Sequence, residues 1–364
     1  MEGDLTKDEK KKTTEPTEGE KTETTKDKTG GSVCPIEEKR TEITEEKTGK
    51  AFYPKVTSLS YLKKILKEKN LHPRRSLGQH FLIDENILEK IIAAASLQKE
   101  DLVIDIGAGP GALSLAMAPA VAGVLAVEQD AGLAAVLREQ ASLRGLDNLY
   151  VVQGDIRRLP LGEICQENFK GLPSIPSSPA LFPGEPFAGA APAEVKVVAN
   201  LPYYLITPLL FKLLQGKEVK IKLLVLMVQL EVAQRITALP GGKQYGLLSV
   251  LCRYYTRPQL LFKVSRHVFF PPPEVDSAVV ALSVYDTPPF KVKDELFFWQ
   301  IVRAAFQQRR KTILNALNGV CGAGREAWEM LLLEAGIDPL RRGETLSLEE
   351  FANLCEIFYN KKGF

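Results

Sequence analysis

From Thr57 onward, short apolar runs alternate with longer segments whose apolar residues recur at helical spacing. The runs contain few polar residues, which is typical of parallel strands that are covered by helices on both faces. This alternation predicts a doubly wound α/β domain built on a parallel sheet. The predicted strands are Leu102–Ile106, Val124–Val127, Tyr150–Val152, Val195–Ala199, Leu223–Val228 and Ala278–Val284, and the last of these is expected to be the last strand of the sheet along the chain.

Two of the intervening helices have start signals. Asp84 precedes apolar residues at i, i+4 spacing and is expected to cap that helix. Thr207 and Pro208 have the favoured order of a cap residue followed by proline in the first position, and Gly216 is expected to end that helix. Ala112–Ala118 is also expected to be helical.

Composition divides the chain into three parts. Residues 1–50 contain 11 Lys and Arg against 14 Asp and Glu and almost no apolar residues, so a disordered tail is expected. Residues 57–290 are the predicted α/β domain, which is interrupted at about 173–192 by a Pro-rich stretch that is too long for a tight connection. Residues 291–364 have only helical patterns and are expected to form a small all-α domain.

The sequence argues against several classes of protein. Its longest strongly apolar run, Leu223–Val228, is far shorter than a transmembrane helix, and the N-terminus does not resemble a signal peptide. Five dispersed cysteines and three histidines favour neither a metal site nor a disulfide scaffold. We therefore expect a cytoplasmic protein without a membrane partner. A monomer is the default expectation, because no heptad pattern is present.

The segment Asp105–Gly111, with the sequence DIGAGPG, follows a predicted strand and precedes a helix. Glycines allow a tight turn there and a close approach of the backbone to a ligand. Glu128 ends the next strand and could bind both ribose hydroxyls of a nucleoside, while Asp155, after the third strand, could bind the exocyclic amine of adenine. The three strand ends predict a pocket for an adenosine-containing cofactor. A dinucleotide, or a tight turn without a ligand, remains open at this point.

The tetrapeptide Asn200-Leu201-Pro202-Tyr203 follows the fourth strand. The N6 amine of adenine is a poor nucleophile because its lone pair is delocalised into the ring. An Asn carbonyl and a backbone carbonyl that accept both N–H groups would draw the nitrogen towards sp³ geometry, and a tyrosine would stack on the base. This pattern favours methyl transfer to an adenine amine over hydride transfer to or from a dinucleotide.

Six blocks together resemble the ribosomal RNA adenine N6,N6-dimethyltransferase family, and within it the bacterial small-subunit enzymes. The resemblance spans roughly residues 57–364 and implies a Rossmann-like S-adenosylmethionine-dependent methyltransferase sheet with a small all-α C-terminal domain. The blocks are SLGQHFL (Ser76–Leu82), DIGAGPG (Asp105–Gly111), NLPYY (Asn200–Tyr204), YGLLS (Tyr245–Ser249), FFPPPEVDSA (Phe269–Ala278) and RAAFQQRRKT (Arg303–Thr312).

The resemblance also implies roles for individual residues. Phe269 matches the family position that is expected to face the target base, opposite Tyr203. Asp105 stands where a Glu is commoner, while Leu230 and Glu274 stand where relatives often have Lys, so two positive charges are missing there. The implied S-adenosylmethionine site comprises Gln79, His80, Leu82, Gly107, Gly109, Glu128, Asp155 and Asn200, and the implied RNA-binding residues are Arg309, Arg310 and Lys311.

The expected function is dimethylation of the N6 amines of two adjacent adenosines near the 3′ end of small-subunit (16S) rRNA during ribosome biogenesis. The expected partner is this rRNA or an immature small subunit. Two alternatives remain open. A large-subunit rRNA methylase that gives macrolide resistance would share the chemistry. A ribosome-assembly factor would bind immature subunits, with catalysis as a secondary activity.

Overall fold

The computed structural model describes residues 44–45, 51–74, 77–170, 195–202, 205–216, 218–290, 292–308 and 310–361. They belong to two units, and the boundary along the chain lies between residues 52 and 53. The first contains a short antiparallel pair of strands, Thr44–Glu45 and Ala51–Phe52. Apart from Thr44–Glu45, the predicted tail lies outside the described residues, and so does the predicted Pro-rich insertion.

The elements have the following bounds in chain order. The strands are β1 (Thr44–Glu45), β2 (Ala51–Phe52), β3 (Phe81–Leu82), β4 (Leu102–Ile106), β5 (Gly123–Glu128), β6 (Leu149–Gln153), β7 (Val195–Asn200), β8 (Ile221–Gln229), β9 (Thr256–Val264), β10 (Phe269–Phe270) and β11 (Ser277–Val284). The helices are α1 (Leu59–Glu68), α2 (Glu85–Ala95), α3 (Ala112–Met117), α4 (Ala131–Leu143), α5 (Leu161–Phe169), α6 (Ile206–Gln215), α7 (Leu230–Thr237), α8 (Leu247–Tyr255), α9 (Glu295–Gln307), α10 (Ile313–Leu317), α11 (Arg325–Glu334) and α12 (Leu348–Asn360).

The central sheet has seven strands in the order β6-β5-β4-β7-β8-β11-β9. The first five are parallel, as expected, but β11 runs antiparallel to both of its neighbours, β8 and β9. The prediction of a wholly parallel sheet is therefore wrong at this end. Strand β11 is the last strand of the sheet along the chain, as predicted, and it lies inside the sheet because β9, which the pattern did not predict, pairs with its outer side.

The parallel order places the predicted functional residues together. Every residue of β4 and β5 is buried, so these strands are fixed between two layers of helices. Glu128 is the last residue of β5 and Asn200 is the last residue of β7, while Asp155 lies just beyond β6. Because parallel strands end at one edge of a sheet, all three lie at the same edge.

The helix caps were predicted with mixed success. The Asp84 side chain accepts a hydrogen bond from the Ile87 backbone N–H at 3.0 Å, which confirms the predicted cap of α2. Helix α6 begins at Ile206 instead of after Thr207, because the Leu205 N–H already donates to the Pro202 carbonyl at 3.0 Å and starts the turn earlier. Gly216 ends α6, as predicted.

After residue 290 the described elements are helices, and they pack against the sheet domain. Phe298 of α9 stacks on Tyr254 of α8 with ring centroids 5.0 Å apart, and Trp299 packs beside Tyr255. Residues of both parts belong to one hydrophobic cluster. The domain boundary near residue 290 stays a prediction. Among the described residues, no helix is both long and apolar enough to span a membrane.

Candidate active site

The glycine loop between β4 and α3 folds back on itself. Gly107, Gly109 and Gly111 have φ values of +73°, +57° and +98°, which L side chains rarely adopt. A Cβ atom on Gly107 would lie 3.2 Å from Cδ of Pro202, so the loop packs directly against the segment after β7. The two motifs that the sequence singled out are therefore in contact.

The N–H groups of this loop are used inside the protein. Gly107 donates to the Val127 carbonyl at 2.8 Å, and Gly109 donates to Oε2 of Glu128 at 2.8 Å. Gly111 donates to the Ala108 carbonyl at 3.0 Å. A dinucleotide site needs such groups for its pyrophosphate. The loop is therefore poorly suited to a dinucleotide, which was one of the open alternatives.

The Glu128 carboxylate is buried and fixed at both oxygens. Besides the bond from Gly109, its Oε1 accepts from the Asp130 N–H at 2.8 Å. Burial raises the pKa of Glu128, while the two backbone N–H donors act in the opposite direction. Each oxygen has a second lone pair, so a fixed carboxylate of this kind can still accept ribose hydroxyls.

Asp105 is a buried carboxylate whose Oδ1 has no hydrogen-bond partner among the described residues. Its Oδ2 accepts from the Ser114 hydroxyl of α3. Burial, with a smaller contribution from the nearby Glu128 carboxylate, raises the pKa of Asp105 to about 7, although the hydrogen bond from Ser114 acts in the opposite direction. An unpartnered buried acceptor that lines a cavity is suited to a donor on a ligand. The pairing with Ser114 was not predicted.

Asp155 is held by Arg157, which the sequence analysis did not single out. Arg157 Nε lies 2.9 Å from Oδ1, and Nη2 lies 2.6 Å from Oδ2. These hydrogen bonds lower the pKa of Asp155. The side chain is therefore an oriented carboxylate, which can accept from an exocyclic amine through its remaining lone pairs. The two residues lie two positions apart in the sequence, and the turn after β6 brings their side chains together.

Asn200 is oriented by the segment before β3. Its Nδ2 donates to the His80 carbonyl at 3.0 Å, which leaves Oδ1 as the accepting end of the amide. Leu201 is buried, and its N–H donates to the Met227 carbonyl of β8 at 3.1 Å. Pro202 is fixed through its carbonyl, which accepts from Leu205. Tyr203, which was predicted to stack on the base, lies outside the described residues.

The opposite wall consists of two short strands that pair antiparallel, β3 and β10. Leu82 lies across from Phe269, and both side chains are buried. The Gln79 side chain accepts from the Arg74 N–H at 2.8 Å, and the His80 ring lies against Pro271. Gln79 and His80 were predicted to bind cofactor; in the structure the Gln79 side chain bonds within the segment before β3, and the His80 ring contacts the residue after β10.

All of these groups meet in one cavity. Its lining includes every predicted cofactor residue and four of the five predicted catalytic residues, with Asn200 in both sets: Gln79, His80, Leu82, Gly107, Gly109, Glu128, Asp155, Asn200, Leu201, Pro202 and Phe269. The lining has three carboxylates, of Asp105, Glu128 and Asp155, and no Lys or Arg among the described residues. S-adenosylmethionine carries a positive sulfonium and an amino group, so this acidic cavity fits it better than it fits an anionic dinucleotide.

The predicted RNA-binding residues lie elsewhere, between α9 and α10. Arg310 and Lys311 are exposed, and neither has an ion pair among the described residues. Arg309 lies outside the described residues. The next turn is anchored to the loop before α12, because Ile313 donates to the Arg341 carbonyl at 2.6 Å. Two cations are thus presented to solvent from a fixed turn.

Comparison with known proteins agrees with this geometry. The profile of the family described as ribosomal RNA adenine dimethylase matches residues 70–359. A curated relative from Pelotomaculum thermopropionicum, named ribosomal RNA small subunit methyltransferase A, is 46% identical over 85% of this chain and 99% of its own length. A relative of the same name from Moorella thermoacetica is 47% identical over 80% of this chain and 94% of its own.

Solved structures support the fold. A dimethyladenosine transferase from Plasmodium falciparum superposes with a TM-score of 0.60 at 24% identity, over 78% of this chain and 99% of its own. The 23S rRNA methyltransferase ErmE superposes with a TM-score of 0.53 at 23% identity, over 76% and 98%. The fold is therefore that of an α/β methyltransferase, as predicted. Given this agreement of profile, relatives and site geometry, the chain belongs to the ribosomal RNA adenine dimethylase family.

Proposed function

We propose that this chain uses S-adenosylmethionine to dimethylate the N6 amines of two adjacent adenosines near the 3′ end of small-subunit (16S) rRNA. The observation that carries the proposal is the oriented Asn200 amide, which lies beside the glycine loop in an acidic cavity. The small subunit is favoured because the curated relatives, at 46% and 47% identity, are named for it. The likeness to ErmE extends only to the fold.

Three carboxylates are proposed to hold the cofactor. Glu128 would accept the ribose hydroxyls, because its oxygens are fixed by two backbone N–H groups. Asp155, oriented by Arg157, would accept the adenine amine of the cofactor. Asp105 would offer its unpartnered Oδ1 to the amino group. When bound, S-adenosylmethionine supplies a methyl group that is already activated by its sulfonium.

The segment after β7 is proposed to prepare the target amine. Asn200 Oδ1 and the Pro202 carbonyl would accept the two N–H groups of N6, so that its lone pair becomes available along the direction of transfer. Pro202 is fixed for this role by the bond from Leu205 and by its contact with Gly107. Phe269 is proposed to line the base site, together with Tyr203.

The substrate is proposed to be rRNA within an immature small subunit, and the protein to act as a cytoplasmic monomer. The exposed Arg310 and Lys311 support phosphate contacts, because neither is neutralised by a carboxylate among the described residues. Their contribution would not depend on sequence, so recognition of the adenosines would come from the cavity and from the fold of the RNA. Arg309 is proposed to add to the same contact.

Transfer of labelled methyl groups tests the proposal. The substrates are small subunits that lack this methylation, with large-subunit rRNA and no RNA as controls, and the product is digested to nucleosides. We expect dimethyladenosine only from small subunits. Asn200→Ala should abolish the product, whereas Asn353→Ala, which removes an exposed amide on α12, should remain active.

The other outcomes are equally informative. Label on large-subunit rRNA would contradict the proposed substrate. Binding of cofactor and of subunits without any transfer would contradict the proposed reaction and favour an assembly factor.

A further inference from the structure

One residue connects the two walls of the cavity. The main-chain carbonyl of His80 accepts from Nδ2 of Asn200 at 3.0 Å. The ring Nδ1 of the same residue lies 2.7 Å from the carbonyl oxygen of Pro271. Because a carbonyl oxygen can only accept, Nδ1 carries a hydrogen and donates it.

The two partners of His80 belong to opposite sides of the proposed base site. Asn200 ends β7 in the central sheet, while Pro271 directly follows β10, which contains Phe269. Strand β10 is only two residues long and pairs with β3, which begins directly after His80. The ring bond adds a further connection at the end of this short ladder.

We propose that His80 is a positioning residue, which fixes the Asn200 amide and the Phe269 wall relative to each other. The adenine between them is then presented in the same way for the first and the second methyl transfer. This inference rests on the proposed function and gives the His80 ring a role other than the cofactor contact that the resemblance implies. The ring acts on the base wall through Pro271.

The second transfer is the more demanding one. A monomethylated amine is bulkier and retains a single N–H, so one of the two carbonyl contacts is lost and the walls must do more of the positioning. A displacement of about 1 Å in a site of this kind can lower the rate by about 100-fold. Loosening the wall should therefore affect dimethyladenosine more than monomethyladenosine.

Three variants test whether the ring N–H of His80 positions the base wall. His80→Leu removes the N–H donor at similar size, whereas His80→Asn keeps an N–H in the place of Nδ1. His72→Leu makes the same change at an exposed histidine in the same segment. For each variant kcat, KM for both substrates, cofactor affinity and the ratio of dimethyladenosine to monomethyladenosine are measured on small subunits that lack the modification.

We expect His80→Leu to lower kcat by about 10-fold or more and to lower the product ratio, with cofactor affinity within about 3-fold of wild type. His80→Asn should restore both to within about 3-fold, and His72→Leu should match wild type. A His80→Leu protein with unchanged kcat and ratio would overturn the proposal, as would a His80→Asn protein no better than the Leu variant.

Two results need separate treatment. If His80→Leu does not fold, His80→Gln replaces it, because the side-chain N–H of glutamine lies one bond further from the backbone than that of asparagine. His80→Gln should then show a lower kcat and a lower ratio of dimethyladenosine to monomethyladenosine than His80→Asn. Equal values for the two variants would overturn the role of His80. A wild-type protein that forms no product contradicts the proposed function itself, which is a different failure.

Discussion

Asp105→Asn is expected to stabilise the cofactor-free protein at alkaline pH. The carboxyl is buried between β4 and α3, with Ser114 as its one hydrogen-bond partner among the described residues and with Glu128 nearby. Burial raises its pKa from 3.8 to about 7. The asparagine has nearly the same shape and no charge, so the comparison isolates the cost of the ionised form.

The magnitude follows from linkage between protonation and folding. The pKa of Asp105 is higher in the folded protein than in the unfolded chain. The contribution of its protonated carboxyl to stability is therefore complete below about pH 4 and is lost as the pH rises through about 7. A difference of roughly 3 in pKa corresponds to about 4 kcal/mol of unfolding free energy over the whole range. Between about pH 5.5 and pH 8, the change amounts to about 2 kcal/mol.

Urea unfolding of wild type and Asp105→Asn at those two pH values measures the effect. The stability of the variant relative to wild type should rise by about 2 kcal/mol towards the higher pH. Asp147→Asn, at an exposed position, should show no such change. A difference between wild type and Asp105→Asn that is the same at both pH values would refute a raised pKa. The variant should also bind cofactor more weakly, because it lacks the anion.

Three further outcomes are expected. Replacing Arg157 with Gln should weaken cofactor binding several-fold in calorimetry, because it releases the carboxylate that Arg157 orients; equal affinity would argue against that carboxylate as a contact. Lys196→Met should cost about 3–5 kcal/mol in urea unfolding, because it leaves its buried carboxylate partner unpaired. Lys69→Met breaks an exposed pair and should cost less than about 1 kcal/mol, so similar losses would contradict this reasoning. Alanine at Arg310 and Lys311 should reduce the slope of log affinity against log salt by about 0.7–0.9 for each lost phosphate contact, whereas an unchanged slope would exclude such contacts.

The strands around the cofactor site could be predicted from the sequence because they are buried on both faces. Their apolar runs are continuous, and β4 begins and ends where the pattern placed it. Strand β9 was missed for a physical reason. It contains Pro258 and several exposed positions, and it lies at the edge of the sheet, where a missing N–H is tolerated. The antiparallel end of the sheet was missed with it.

The residues of the cavity were predictable as a set, but their contacts were not. The spacing of the glycine loop, Glu128 and Asn200 along parallel strands brings them to one edge by topology. The bond from His80 to Pro271 joins residues 191 positions apart, so the sequence pattern does not show it. The acidic lining likewise required the structure, because Asp105, Glu128 and Asp155 had to be placed around one space.

Mapping the methylated nucleotides tests the proposed reaction most directly. Small subunits that lack the modification are incubated with the protein and S-adenosylmethionine, and the fragment at the 3′ end of the rRNA is analysed by mass spectrometry. We expect two methyl groups on each of two adjacent adenosines, and none when Asn200→Ala is used. Methyl groups on other nucleotides, or the same product with Asn200→Ala, would contradict the role assigned to this cavity.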